Sequence, residues 1–292
     1  MKNSNQDSAI ITESSTKQKI RDSKIARLSR AWIRQRKSKN THPTSTTGFI
    51  ELDQLLGGWH RGGISVIAGH PSMSVVPLAG TFAEAFARNL GQVIWIGKES
   101  DLKIATDILV MRNTGIDPRF TYCGLSQQAV DDLQTTMAEL SKLRFHYYVI
   151  DNGTSIAEDT EFLSNIEPNT PTLVVYDSSR IDDDDPRHSD ISPVIDSIIE
   201  CNSNVSILCL LPMANDIENS LNQTPKLSDV IGLDQIADVV DVVMCPSHGW
   251  MLDEGANEND SWKAEVHVLL NHFGGMAKTG PCEFSYPSKV AA

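Results

Sequence analysis

Val66-Ile-Ala-Gly-His-Pro-Ser-Met-Ser-Val-Val76 lies between an apolar run and a helix-like stretch of small residues, the place where a phosphate-binding loop stands in many nucleotide-binding domains. Such a loop reads G-x-x-x-x-G-K-[ST]. Its backbone N–H groups wrap the phosphates, its lysine neutralises the terminal ones, and its hydroxyl helps to hold Mg²⁺. Here Gly69 is kept and His70, Pro71, Ser72 and Met73 fill the variable places, but Ser74, Val75 and Val76 replace the second glycine, the lysine and the hydroxyl residue. The strand-turn-helix frame is retained while the groups that grip phosphate are missing.

Outward from this loop, apolar runs alternate with helical patterns. Thr47 to Gly63 reads as a short helix closed by paired glycines, followed by a buried strand over Ile64–Ala68. A helix is expected over Leu78–Asn89, with Phe82, Ala85, Phe86 and Ala79 on one side; Pro77 is tolerable in its first turn, where no intrahelical N–H bond is lost. Strands are expected at Val93–Ile96, Tyr147–Ile150, Leu173–Asp177, Val205–Leu211 and Val239–Met244, with helices at Leu102–Asn113, Gln127–Leu143 and Pro193–Glu200. Ala264–Leu270 and Cys282–Tyr286 suit a closing hairpin. Continuous apolar strands alternating with helices imply an α/β fold, a mainly parallel sheet covered on both faces.

The chain of 292 residues with 40% apolar composition can bury a large core. It has no apolar run of about 18 residues and its first residues are polar, so neither a membrane span nor secretion is indicated and a cytoplasmic protein is expected. The five cysteines are scattered without a Cys-x-x-Cys pair, which suits reduced thiols. Cys245-Pro-Ser-His248 with His267 and His272 is a poor match to zinc-ligand spacing, because His267 falls within a strand-like run; no metal is expected.

A net charge of −13 conceals a division. Residues 1–40 carry eleven Lys and Arg against three Asp and Glu, whereas the remainder carries 14 against 35. Residues 1–16 are polar and are expected to be disordered. Residues 17–45 form a basic helix and linker: Ile25, Leu28 and Trp32 share one helical face, surrounded by Arg21, Lys24, Arg27, Arg30, Arg34, Arg36 and Lys37. Two uses fit this pattern, packing of the apolar stripe on a protein surface and contact of the arginines with nucleic acid. The acidic body, with Asp182 to Asp185 in one run, should repel phosphate backbones. That run is either a solvated loop or a docking patch for a basic partner.

Several stretches, taken in order, resemble the RecA-like motor domain of the DnaB-type replicative helicases. Thr47-Gly-Phe-Ile-Glu-Leu-Asp53 with Leu56-Gly-Gly58 resembles that family's T-G-F-x-x-L-D-x-x-x-G-G lead-in, and Val66 to Ser74 resembles its V-I-A-x-R-P-x-M-G-K-T loop through Pro71 and Met73. Pro225-Lys-Leu-Ser-Asp229 and Ala237-Asp-Val-Val240 resemble its P-x-L-S-D-L-R and D-A-D-x-V segments. The likeness runs from about Thr46 to Tyr286, and 46–292 is read as one domain with a RecA-like P-loop NTPase fold.

The resemblance implies a water-activating role for Glu99 and Mg²⁺ support from Asp177, the two catalytic remnants. It also implies losses. Pro212-Met-Ala214 stands where a phosphate-sensing glutamine is expected, the arginine after Asp229 is missing, and Leu270 and His272 replace a Lys-x-Arg pair that reaches a neighbour's nucleotide. The expectation is therefore a non-catalytic, helicase-like protein of DNA replication that binds or scaffolds a replicative helicase or its own copies. No cofactor is expected. ATP with Mg²⁺ would belong to the alternative, a divergent ATP-dependent helicase in which Lys98 or His70 replaces the missing lysine. A nucleic-acid adaptor working through the basic helix is a third possibility.

Overall fold

The computed structural model describes residues 46–60, 62–69, 75–116, 124–149, 166, 170–178, 191–201, 205–214, 225–247, 263–273 and 280–285. The disordered tail and basic helix expected in residues 1–45 lie outside these, as do His70 to Ser74, Asp182 to Asp185 and His248. The elements are α1 (Ile50–Leu56), β1 (Ile64–Gly69), α2 (Val75–Asn89), β2 (Gln92–Gly97), α3 (Glu99–Thr114), α4 (Gln127–Leu140) and β3 (Phe145–Val149). They continue with β4 (Thr172–Asp177), α5 (Ser192–Cys201), β5 (Val205–Pro212), a 3₁₀ turn (Leu227–Asp229), α6 (Leu233–Ile236), β6 (Val242–Ser247), β7 (Lys263–Asn271) and β8 (Gly280–Ser285).

The strands form one sheet in the order β3-β2-β4-β5-β1-β6-β7-β8. The first six run parallel, and β6, β7 and β8 are joined by antiparallel pairings. β1, β2 and β4 are buried along their whole length because layers cover both faces, which is why they read as unbroken apolar runs rather than as alternations. The period of two still sorts their side chains. Ile67, Trp95, Val175 and Leu208 face a layer made by α1, α2 and Ala105 of α3, while Val66, Ile94, Val174 and Ile207 face Val194, Ile195 and Ile198 of α5 and the turn that holds α6.

The mainly parallel sheet and closing hairpin agree with expectation; several boundaries differ. α2 begins at Val75, three residues before the expected Leu78, so Pro77 sits in its first turn and its carbonyl accepts from Thr81 Oγ1 at 3.1 Å. α3 begins at Glu99 with Lys98 as its N-cap, and it ends at Gly115, whose φ of 71° suits a glycine. The last parallel strand covers Val242–Ser247 rather than the expected Val239–Met244. Val239 and Val240 instead close the turn of α6, each donating its N–H to the Ile236 carbonyl, at 3.0 and 3.2 Å, and both are buried there. Burial in a turn and burial in a strand leave the same apolar mark on a sequence.

Candidate nucleotide-edge site

Parallel strands point their carboxyl ends to one edge of the sheet, and ligands of open α/β sheets bind outside that edge. β1 delivers Gly69 there, in register with Pro212 of β5. Val75 and Val76, on the far side of the loop, form the first turn of α2 with exposures of 6% and 4%, inside the apolar layer that also holds Ile67, Leu78 and Phe82. A lysine and a hydroxyl residue at these two places would be polar groups in an apolar layer.

β2 and β4 bring the two acidic candidates, Glu99 and Asp177, to the same edge but into different surroundings. Glu99 is the first residue of α3 and is exposed, next to the half-buried Lys98. Asp177 ends β4 and is only 2% exposed. Gly97 makes room for it: a Cβ at Gly97 would stand 3.1 Å from Asp177 Cβ and 3.2 Å from the buried Trp95 Nε1. The next residue, Ser178, donates its N–H and Oγ to the Leu210 carbonyl at 3.2 and 2.9 Å, binding the end of β4 to β5. A second buried carboxylate, Asp101, lies in the first turn of α3 and donates its N–H to the Lys98 carbonyl at 3.0 Å. Sequence reading overlooked Asp101, whose one signal was its place two residues after Glu99.

The remaining candidate positions are fixed by backbone pairings. Met213, where a phosphate sensor was expected, is buried and forms an isolated antiparallel bridge with Val230. Ala214 N–H donates to the Asp229 carbonyl at 2.9 Å and Ile231 N–H to the Pro212 carbonyl at 3.0 Å, so the Pro-Lys-Leu-Ser-Asp segment is held against the end of β5. Leu270 packs partly buried on the core, whereas His272 is exposed and donates its N–H to the Asp241 carbonyl at 2.8 Å.

Cys245 of β6 is buried opposite His267 of β7, whose Nε2 contacts Glu265. Burial, with the charge of Asp229 added, pushes the Cys245 thiol up to about 12. Among the described residues no three His, Cys, Asp or Glu side chains are grouped as a metal ion would require, and no helix is long and apolar enough to cross a membrane.

A model of the DnaB-like helicase C-terminal domain matches residues 45–287. No curated protein matches the sequence at a significant level. Among solved structures, a DnaB-like replicative helicase studied for its interactions with primase superposes with a TM-score of 0.68 at 18% identity, over 82% of this chain and 59% of that one. A second solved structure, an ATPase domain, gives a TM-score of 0.69 at 17% identity, over 87% of this chain and 92% of that one. The chain thus spans 59% of the replicative helicase it matches.

Proposed function

Because the chain belongs to the DnaB-like helicase C-terminal domain family, we propose that it serves DNA replication by binding, as a RecA-like domain that has given up ATP turnover. Residues 46–292 are then the helicase-like body and 17–45 its basic linker. The observation that carries this reading is the burial of Val75 and Val76 in the apolar layer of α2, at the places where a working loop has its lysine and its Mg²⁺ hydroxyl. Phosphoryl transfer is almost wholly electrostatic positioning, and one arginine finger alone contributes about 10³ to 10⁵ in rate. Loss of the lysine, the hydroxyl and the cations expected at 270 and 272 leaves the carboxyl groups of Glu99 and Asp177 at this edge of the sheet.

The partner on this reading is a replicative helicase subunit or a second copy of the chain, met through the family's subunit-packing surface and the basic linker. Two measurements test it together. Purified protein with Mg²⁺ and ATP should show no turnover that Glu99→Gln abolishes, and light scattering with and without a replicative helicase should show an assembly. Turnover lost in Glu99→Gln, or a monomer that binds no helicase, refutes it.

One feature favours a second reading. Lys98 caps α3 directly before Glu99 at the correct edge, so a divergent ATPase could use it in place of the loop lysine. Fluorescent ATP-analogue binding that requires Mg²⁺ and disappears in Lys98→Met would establish that reading instead.

A further inference from the structure

Thr46 to Phe49, the first of the described residues, are tied down at several points. Thr47 donates its N–H and its Oγ1 to Asp53 Oδ1, each at 2.7 Å, and Thr46 Oγ1 donates to Asp53 Oδ2. Gly48 N–H donates to Thr46 Oγ1 at 2.9 Å. Asp53 therefore folds the entry segment over the first turn of α1. Gly48, at a φ of 93°, lies against α2 so closely that a Cβ there would be 3.1 Å from Thr81 Cγ2.

Phe49 is buried between two helices. Its ring meets Phe82 of α2 edge-on, with centroids 6.2 Å apart, and the guanidinium of Arg112 from α3 lies 5.5 Å from its centroid. Arg112 is 2% exposed. Its Nη1 donates to Thr81 Oγ1 at 2.8 Å and its Nε lies 3.6 Å from Glu84 Oε2. Glu84 of α2, with no exposure, accepts at Oε1 from Arg88 Nε and from Asn113 Nδ2, each at 2.9 Å, and Arg88 Nη2 donates to Asn113 Oδ1 at 3.0 Å.

A buried charge pair often stabilises no more than a well-packed apolar contact of the same volume, but removing one partner leaves a buried charge behind and is strongly destabilising. Here one buried network draws on the entry segment, α2 and α3 at once. We infer that Arg112 and Phe49 join these three elements into a single cooperative unit, so that a partner or a pull acting on the chain ahead of Thr46 is delivered to α3, at whose first turn Glu99 stands. A hinge at Thr46 would instead absorb it. The coupling needs no nucleotide and holds whether or not the protein turns over ATP.

Hydrogen exchange of the full-length wild type over low denaturant concentrations tests this. Amides of residues 53–58 should open on the same isotherm as those of 103–114. Phe49→Leu should speed exchange in both segments by about fivefold or more, and Arg112→Lys should reach back to speed 53–58 likewise. The inference is overturned if wild-type residues 53–58 open ahead of α3 at every denaturant concentration, or if the effect of Phe49→Leu stops at residue 58. Should the variants fail to fold, the wild-type isotherms decide alone.

Discussion

Placing the lysine and hydroxyl of a phosphate-binding motif at positions 75 and 76 should cost this protein stability. Val75→Lys with Val76→Thr restores the lysine and the hydroxyl, but the valines they replace are 6% and 4% exposed and belong to the apolar layer with Ile67, Leu78 and Phe82. Full burial of a valine is worth about 1.5 to 3 kcal/mol. The lysine at 75 recovers part of this by laying its methylenes along the sheet edge with the ammonium in water. The threonine at 76 keeps one methyl and places a hydroxyl in the apolar slot, at about 1 to 3 kcal/mol if it finds no partner. The pair should therefore destabilise the fold by about 2 to 5 kcal/mol, a large share of the roughly 5 to 15 kcal/mol that holds a typical domain. Urea denaturation followed by tryptophan fluorescence, without nucleotide, should show an unchanged slope and a midpoint lower by about 1 to 2 M. A midpoint at or above that of the wild type would refute the view that these side chains have become part of the core.

Gly91→Ala should be among the most damaging single-methyl changes, because the new Cβ would lie 2.0 Å from the Pro171 carbonyl oxygen, which also accepts from Gln92 N–H at 3.0 Å; a melting temperature within a degree or so of the wild type would contradict the packing at this turn. His60 is held below its ordinary 6.5 chiefly by burial, its ring stacked on Phe273 at 3.7 Å, with a hydrogen bond to the Leu56 backbone opposing the shift. The unfolded chain then binds this proton at higher pH than the folded one, so stability rises with pH through the window just below 6.5, and His60→Phe should flatten that rise in urea midpoints taken from about pH 5 to pH 8. An equal slope in both proteins would exclude His60 as its source. Burial pushes the Cys209 and Cys245 thiols up to about 12, so iodoacetamide followed by peptide mapping should leave both unmodified in the native state and label both in urea. Native labelling as fast as in urea would refute their burial.

The parallel sheet was legible because its inner strands are buried on both faces and spell themselves out as β-branched and apolar runs, as in Ile64 to Ala68 and Leu173 to Tyr176, whereas the edge strand β3 is partly exposed. That a strand ends at Gly69 and a helix begins soon after was legible for a similar reason: glycine, proline and small residues punctuate regular elements. Places where two structures leave one apolar signature were not legible. Val239 and Val240 read as strand and lie in a turn. Nor did the sequence disclose that Val75 and Val76 are core, since a helix start at Leu78 left them in the loop. The Arg112–Glu84 pair was hidden altogether: each residue sits in an ordinary helical pattern, and only the packing of α2 against α3 brings them together.

On the reading proposed above, Glu99 and Asp177 do not carry equal weight as traces of a nucleotide site. Glu99 is exposed at a helix N-terminus, where a carboxylate is favoured by the helix dipole whatever else it does. Its presence is explained without any ligand. Asp177 is different, because a carboxylate at 2% exposure carries a desolvation cost that an asparagine of nearly the same shape would reduce. Gly97 deepens the contrast, since its missing side chain is what lets Asp177 fit beside Trp95. Two positions on neighbouring strands thus agree in sheltering one carboxylate at the sheet edge, while Val75 and Val76 close the part of that edge where phosphate would be gripped. On the reading proposed above, the edge shelters a carboxylate at Asp177 while apolar side chains stand at 75 and 76.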